Sequence, residues 1–125
     1  MGRNLTDMRV LILDDDSALA HVLALSLRAE GLSLVTFACP HEALKHIHEA
    51  DVLLTDYHMP EMTGLDVARR AYDQGWRGSL LIMSGHFSAK TEQVEHPLLR
   101  SVLDKPFSTH ELVEKVRSCG GTVRP

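Results

Sequence analysis

The sequence has little cysteine, few aromatic residues and no long apolar run, and these shortages close off whole classes of protein. Two cysteines, Cys39 and Cys119, in 125 residues fall short of a disulfide framework, and a chain of this length buries enough surface in one core to stand without one. No stretch approaches the roughly 20 apolar residues of a membrane-spanning helix, and no secretory leader is recognisable. The expectation is a reducing, cytoplasmic setting with no membrane partner. Lys and Arg number 13 against 17 Asp and Glu, a net charge of −4. The basic residues are scattered, which argues against direct contact with nucleic acid. The opening Met1-Gly2-Arg3-Asn4-Leu5-Thr6 fits the loose N-myristoylation pattern, but a pattern with three free positions is often met by accident.

What is present is a set of short apolar runs that end in chemistry. Val52-Leu53-Leu54-Thr55 reads as a buried parallel strand and delivers Asp56 to its C-terminal end. Val10 to Leu13 ends in Asp14, Asp15 and Asp16. Leu80 to Met83 ends in Ser84, and Val102-Leu103 leads through Asp104 to Lys105. Open α/β sheets place their chemistry at such ends.

Between the runs lie helical patterns. Ser17 to Glu30 repeats apolar residues at Leu19, Val22, Leu23 and Leu27, with Gly31 where a left-handed cap is wanted. Leu32 to Phe37 reads as a second strand, diluted by Ser33 and Thr36 as an edge strand would be. Pro40 suits the first turn of a helix that turns Ala43, Leu44 and Ile47 inward. Thr63 and Asp66 form a capping box for a helix over about Gly64 to Asp73, ended by Gln74-Gly75, and Ser108 with Glu111 repeats the device before the final helix. Five strands alternating with five helices predict an α/β fold, a flavodoxin-like doubly wound parallel sheet in the order 2-1-3-4-5. The expected organisation is one domain over 1–125, with its core at about 8–119 and loose ends at 1–7 and 120–125.

Asp14, Asp15 and Asp56 would crowd three negative charges into one crevice, and like charges at that range raise a pKa or recruit a cation. Mg²⁺ suits, because it keeps several waters and takes one or two carboxylates together with a phosphate. Asp16 is read separately, as the cap of the first helix.

The order Asp-Asp, then Asp-x-x-Met-Pro, then a hydroxyl, then Lys-Pro, each after a strand, resembles the receiver domain of two-component response regulators over roughly Met8 to Cys119. That resemblance implies that Asp56 is phosphorylated by a sensor histidine kinase or a histidine phosphotransfer protein, with slow hydrolysis afterwards. It implies Mg²⁺ held by Asp15, Asp56 and the backbone carbonyl of His58, with Asp14 acting through water. Ser84, Gly85 and Lys105 would hold the phosphoryl oxygens, and Lys105-Pro106 would be cis. The protein would be a monomer or a phosphorylation-dependent dimer, its output domain or downstream target left open. His58 and His86, each two residues beyond a site residue, are candidates for tuning the hydrolysis rate. His41, His46 and His48 lack the i,i+4 spacing of a helical metal site and read as surface residues.

Two rivals follow from the same residues. A haloacid-dehalogenase-like phosphatase would use Asp14 and Asp16 as its spaced pair, and a degenerate receiver would only bind partners. The chain also departs from the family it resembles. Val102 stands where receivers usually carry Tyr or Phe, and Leu98-Leu99 behind Pro97 replace the usual Gly-Ala. The fourth helix is therefore expected to be short, displaced or partly unwound within Ser88 to Glu95. The segment His86 to Leu99 is expected to carry the order change on phosphorylation.

Overall fold

The computed structural model describes residues 8–85 and 95–121. Within them, five strands, β1 (Arg9–Leu13), β2 (Ser33–Phe37), β3 (Val52–Asp56), β4 (Ser79–Ser84) and β5 (Leu99–Asp104), form one parallel sheet in the order β2-β1-β3-β4-β5. The helices are α1 (Ser17–Arg28), α2 (Pro40–Lys45), α3 (Gly64–Asp73) and α4 (Thr109–Gly121), with a 3₁₀ turn at Ile47–Glu49. The helix expected within Ser88 to Glu95 lies, apart from Glu95, outside the described residues.

Strand periodicity sorts the core into two layers, because successive side chains of a strand point to opposite faces. Val10, Ile12, Leu54, Leu81, Met83 and Leu103 pack beneath α1 and α4. Leu11, Leu13, Leu53, Leu80 and Ile82 pack beneath α2 and α3. β3, in the middle of the sheet, is buried from end to end, and each of its fully buried leucines contributes about 1.5–3 kcal/mol. Among the described residues no helix is long and apolar enough to cross a membrane.

The punctuation agrees with the residues that carry it. Asp16 caps α1 by accepting from the Leu19 N–H at 3.1 Å, and Gly31 adopts φ 90°. Thr63 and Asp66 make the reciprocal box that opens α3. The Ser108 hydroxyl accepts from the Glu111 N–H at 3.0 Å ahead of α4.

Several boundaries differ. α1 stops at Arg28, and its buried face is Ala20, Leu23, Ala24 and Leu27. Val22, read in the sequence as part of the apolar stripe, is 56% exposed instead. β5 begins at Leu99, well before Val102, after a turn at Pro97-Leu98. The Leu80 N–H donates to the Leu98 carbonyl at 2.9 Å, so the tail of the segment expected to carry the order change is tied to the sheet. Val102 is half-buried and packs on the α2/α3 layer.

Candidate functional site

The C-terminal ends of β1, β3, β4 and β5 meet at one edge of the sheet. Parallel register sets Leu13 beside Thr55, Asp56 beside Met83, and Ser84 beside Asp104. The residues that follow these strands therefore arrive together. Carboxylate oxygens of Asp14, Asp15 and Asp56 lie within 4.8 Å of one another. Lys105 Nζ reaches Asp56 Oδ1 at 3.1 Å and Asp14 Oδ2 at 3.8 Å.

Burial within this group is uneven, and that decides the electrostatics. Asp14 is buried, Asp56 nearly so, and Asp15 exposed. Asp14 Oδ1 accepts from the Asp16 N–H at 2.9 Å, whereas Asp14 Oδ2 is buried with no hydrogen-bond partner. Burial pushes the Asp14 carboxyl above the ordinary carboxylate range. The Asp16 N–H pulls it back, the Asp56 charge raises it again, Lys105 opposes, and Asp15 adds a smaller upward push. An orphaned buried acceptor beside two more carboxylates fits a small, hard cation bound through oxygen.

The loop after β3 is held from several sides. Tyr57 N–H donates to the Met83 carbonyl at 2.8 Å and Gly64 N–H to the Tyr57 carbonyl at 2.8 Å. A Cβ on Gly64 would stand 2.5 Å from the Asp56 carbonyl oxygen, so this close approach requires glycine. Thr55, fully buried, donates its hydroxyl to the same oxygen at 3.0 Å. Sequence reading passed over Thr55, whose only signal is a polar residue inside an otherwise apolar central strand.

Ser84 is buried at the end of β4, and its carbonyl accepts from the Lys105 N–H at 2.8 Å. Gly85 is exposed beside the aliphatic stem of Lys105. Lys105-Pro106 is cis. His58 is exposed, its ring edge-on to Tyr57 at 4.9 Å between centroids. His86 lies outside the described residues. Asp16 is exposed and its carboxylate is engaged in capping α1, so the spaced Asp14/Asp16 pair of the phosphatase alternative is not assembled.

A profile of the response regulator receiver domain matches residues 10–117. The chain belongs to the response regulator receiver domain family. It is 30% identical over 114 residues to the cell cycle transcriptional regulator CtrA of Caulobacter vibrioides, covering 89% of this chain and 49% of CtrA. To the DNA-binding response regulator MtrA of Mycolicibacterium paratuberculosis it is 36% identical over 117 residues, covering 88% and 50%. The receiver chain thus spans about half the length of the curated relatives it matches. Among solved structures, response regulator protein TrrA of Thermotoga maritima in complex with Mg²⁺ and BeF superposes with a TM-score of 0.80 at 24% identity, over 90% of this chain and 98% of that one.

Proposed function

We propose that this receiver takes a phosphoryl group onto an Asp56 carboxylate oxygen from a phosphohistidine on a sensor histidine kinase or histidine phosphotransfer protein. One observation carries the reading: Asp56 stands at the end of the central strand, its carboxylate 3.1 Å from Lys105 Nζ and within 4.8 Å of two further carboxylates. A carboxylate is a competent nucleophile at phosphorus, and catalysis of such transfers consists mainly of positioning and charge compensation. The new O–P bond forms as the P–N bond of the phosphoimidazole breaks, and the leaving nitrogen keeps the electron pair. Attack by water at phosphorus later releases inorganic phosphate and restores the carboxylate.

Asp15, Asp56 and the His58 carbonyl are the residues that would hold Mg²⁺, with Asp14 behind them. Bound there, the ion supplies positive charge against the phosphoryl oxygens. Lys105 pairs with Asp56 before transfer and can hold a phosphoryl oxygen after it. The Ser84 hydroxyl and Gly85 N–H would donate to the remaining oxygens. Thr55 and Gly64 fix the Asp56 backbone, so the nucleophile needs little reorganisation. His58, exposed on the loop after β3, would influence the approach of water. The switch is then read by whatever output domain or protein the receiver serves, as monomer or as phosphorylation-dependent dimer.

Incubation with acetyl phosphate and Mg²⁺, followed by intact mass measurement, should show one added phosphoryl group that vanishes in Asp56→Asn. Undiminished labelling of Asp56→Asn would overturn the assignment.

A further inference from the structure

Away from the phosphorylation site, a groove of about 390 Å³ runs between α2 and α3, lined by His41, Leu44, Lys45, His48, Arg70 and Gln74. No carboxylate lines it, although the chain carries a net charge of −4. Leu44 is buried and forms its floor, while His41, Lys45, His48, Arg70 and Gln74 are exposed around it. Two rim donors already hold carboxylates of this chain: His41 Nε2 lies 3.6 Å from Glu61, and Lys45 Nζ lies 3.1 Å from Glu42. Arg70 and His48 hold none among the described residues, and Gln74 lines the same groove. Arg70 is always charged and offers a fork matched to carboxylate geometry, and even a neutral imidazole keeps one N–H donor.

We propose that this groove docks an acidic peptide segment of a protein partner, through carboxylates on Arg70 and His48. Three features select that occupant. The lining carries two cations, Lys45 and Arg70, and no carboxylate, a sign that suits an acidic occupant. The donors are exposed around an apolar floor, whereas small-ligand sites enclose most of the ligand surface. No Phe, Tyr or Trp lines the groove to give a base a broad stacking face, as single-stranded nucleic acid would want. The groove also touches the site loop, since the Glu61 carboxylate on His41 belongs to the segment between Asp56 and α3. An incoming carboxylate would compete with Glu61 there.

The test is calorimetric titration of the full chain with acetyl-hexaglutamate amide at 20 mM and 150 mM salt. Parallel titrations use inorganic phosphate and a thymidylate hexamer. Binding of the peptide is expected at low salt and should weaken severalfold at the higher salt. The double variant Arg70→Gln/His48→Gln should bind about fivefold more weakly, as expected for the loss of one exposed ion pair and one hydrogen bond. Arg117→Gln, altered on the far α4 surface, should bind like the parent. Both positions are exposed, and a thermal melt checks that the double variant remains folded. Asp56→Asn should bind the peptide normally, which separates this proposal from the phosphorylation reading. Absence of peptide binding at 20 mM salt, unweakened binding by the double variant, or equally tight binding of phosphate or of the thymidylate hexamer would each overturn it.

Discussion

The two ends of the sheet treat buried polar groups in opposite ways. At the N-terminal end, polar groups drawn into the packing among the described residues find partners. Trp76, buried at the turn before β4, donates its indole N–H to the Ala50 carbonyl at 2.8 Å. Asp51 accepts the Arg9 N–H on Oδ2 at 2.9 Å and the Ser79 N–H on its carbonyl at 3.0 Å. At the C-terminal end, Asp14 Oδ2 is buried with no hydrogen-bond partner, its ammonium neighbour 3.8 Å away, and three carboxylates share one crevice with, among the described residues, the single ammonium of Lys105. One end is arranged for stability. The other carries an electrostatic cost that folding would not select, which is characteristic of a site kept for function.

The contrast can be broken hardest at the stable end. Trp76→Ala removes a large buried ring and leaves the Ala50 carbonyl unpaired, so urea unfolding should show a loss of about 3–5 kcal/mol. A loss under about 1 kcal/mol would mean that the N-terminal end is not the anchor. Next comes Gly64→Ala, whose Cβ meets the Asp56 carbonyl oxygen at 2.5 Å and Thr55 Cγ2 at 2.9 Å. Relief requires moving backbone at the nucleophile. The expected cost is about 1–3 kcal/mol, accompanied by slower labelling by acetyl phosphate. Normal labelling in a destabilised Gly64→Ala would show that Asp56 tolerates displacement.

At the functional end the sign should reverse. Asp14→Asn keeps an oxygen for the Asp16 N–H and replaces the orphaned Oδ2 by a donor facing carboxylates. Metal-free protein in chelator should gain about 1 kcal/mol. Mg²⁺ should then raise the melting temperature of the variant less than that of the parent. A variant less stable than the parent in chelator would show that Lys105 already compensates the crevice.

How far the sequence exposes this contrast depends on how local each cause is. β3 and α3 are legible to the residue, because an uninterrupted apolar run and a reciprocal Thr63–Asp66 cap are short-range signals. The start of β5 is not. Arg100 and Ser101 interrupt its apolar pattern, and the pairing with β4 shifts register between Leu80 and Leu81. Val22 is misread for a related reason, since helical spacing marks it as apolar-face but only the neighbouring helix decides what is covered. Within the site, Asp14, Asp15, Asp56 and Lys105 are visible as strand-end residues. The unpaired Oδ2 and the Thr55 clamp on the Asp56 carbonyl arise from three-dimensional packing and leave no pattern along the chain.

The finest test of the comparison lies at His96, near the stable end, where neutrality is the satisfied state. His96 Nδ1 accepts the Leu98 N–H at 3.1 Å, and its ring stands edge-on to Tyr72 at 5.5 Å. Arg77 lies over the other part of that cluster, 3.6 Å from the Tyr72 centroid. Burial, and then the Arg69 charge, hold the His96 pKa below its ordinary 6.5. Above 6.5 the ring is neutral in folded and unfolded chains, and nothing is lost. As the pH falls below that value the unfolded chain binds its proton first, so stability declines until the folded ring is protonated too. Protonation turns the accepting nitrogen into a donor facing the Leu98 N–H, and so costs that hydrogen bond, about 0.5–1.5 kcal/mol. His96→Gln should therefore flatten the decline in unfolding free energy between pH 7.5 and 5, measured by urea titration at each pH. A slope identical to that of the parent would show that the turn before β5 accepts a charge as readily as it accepts a neutral ring, and the distinction between the two ends would not extend to it.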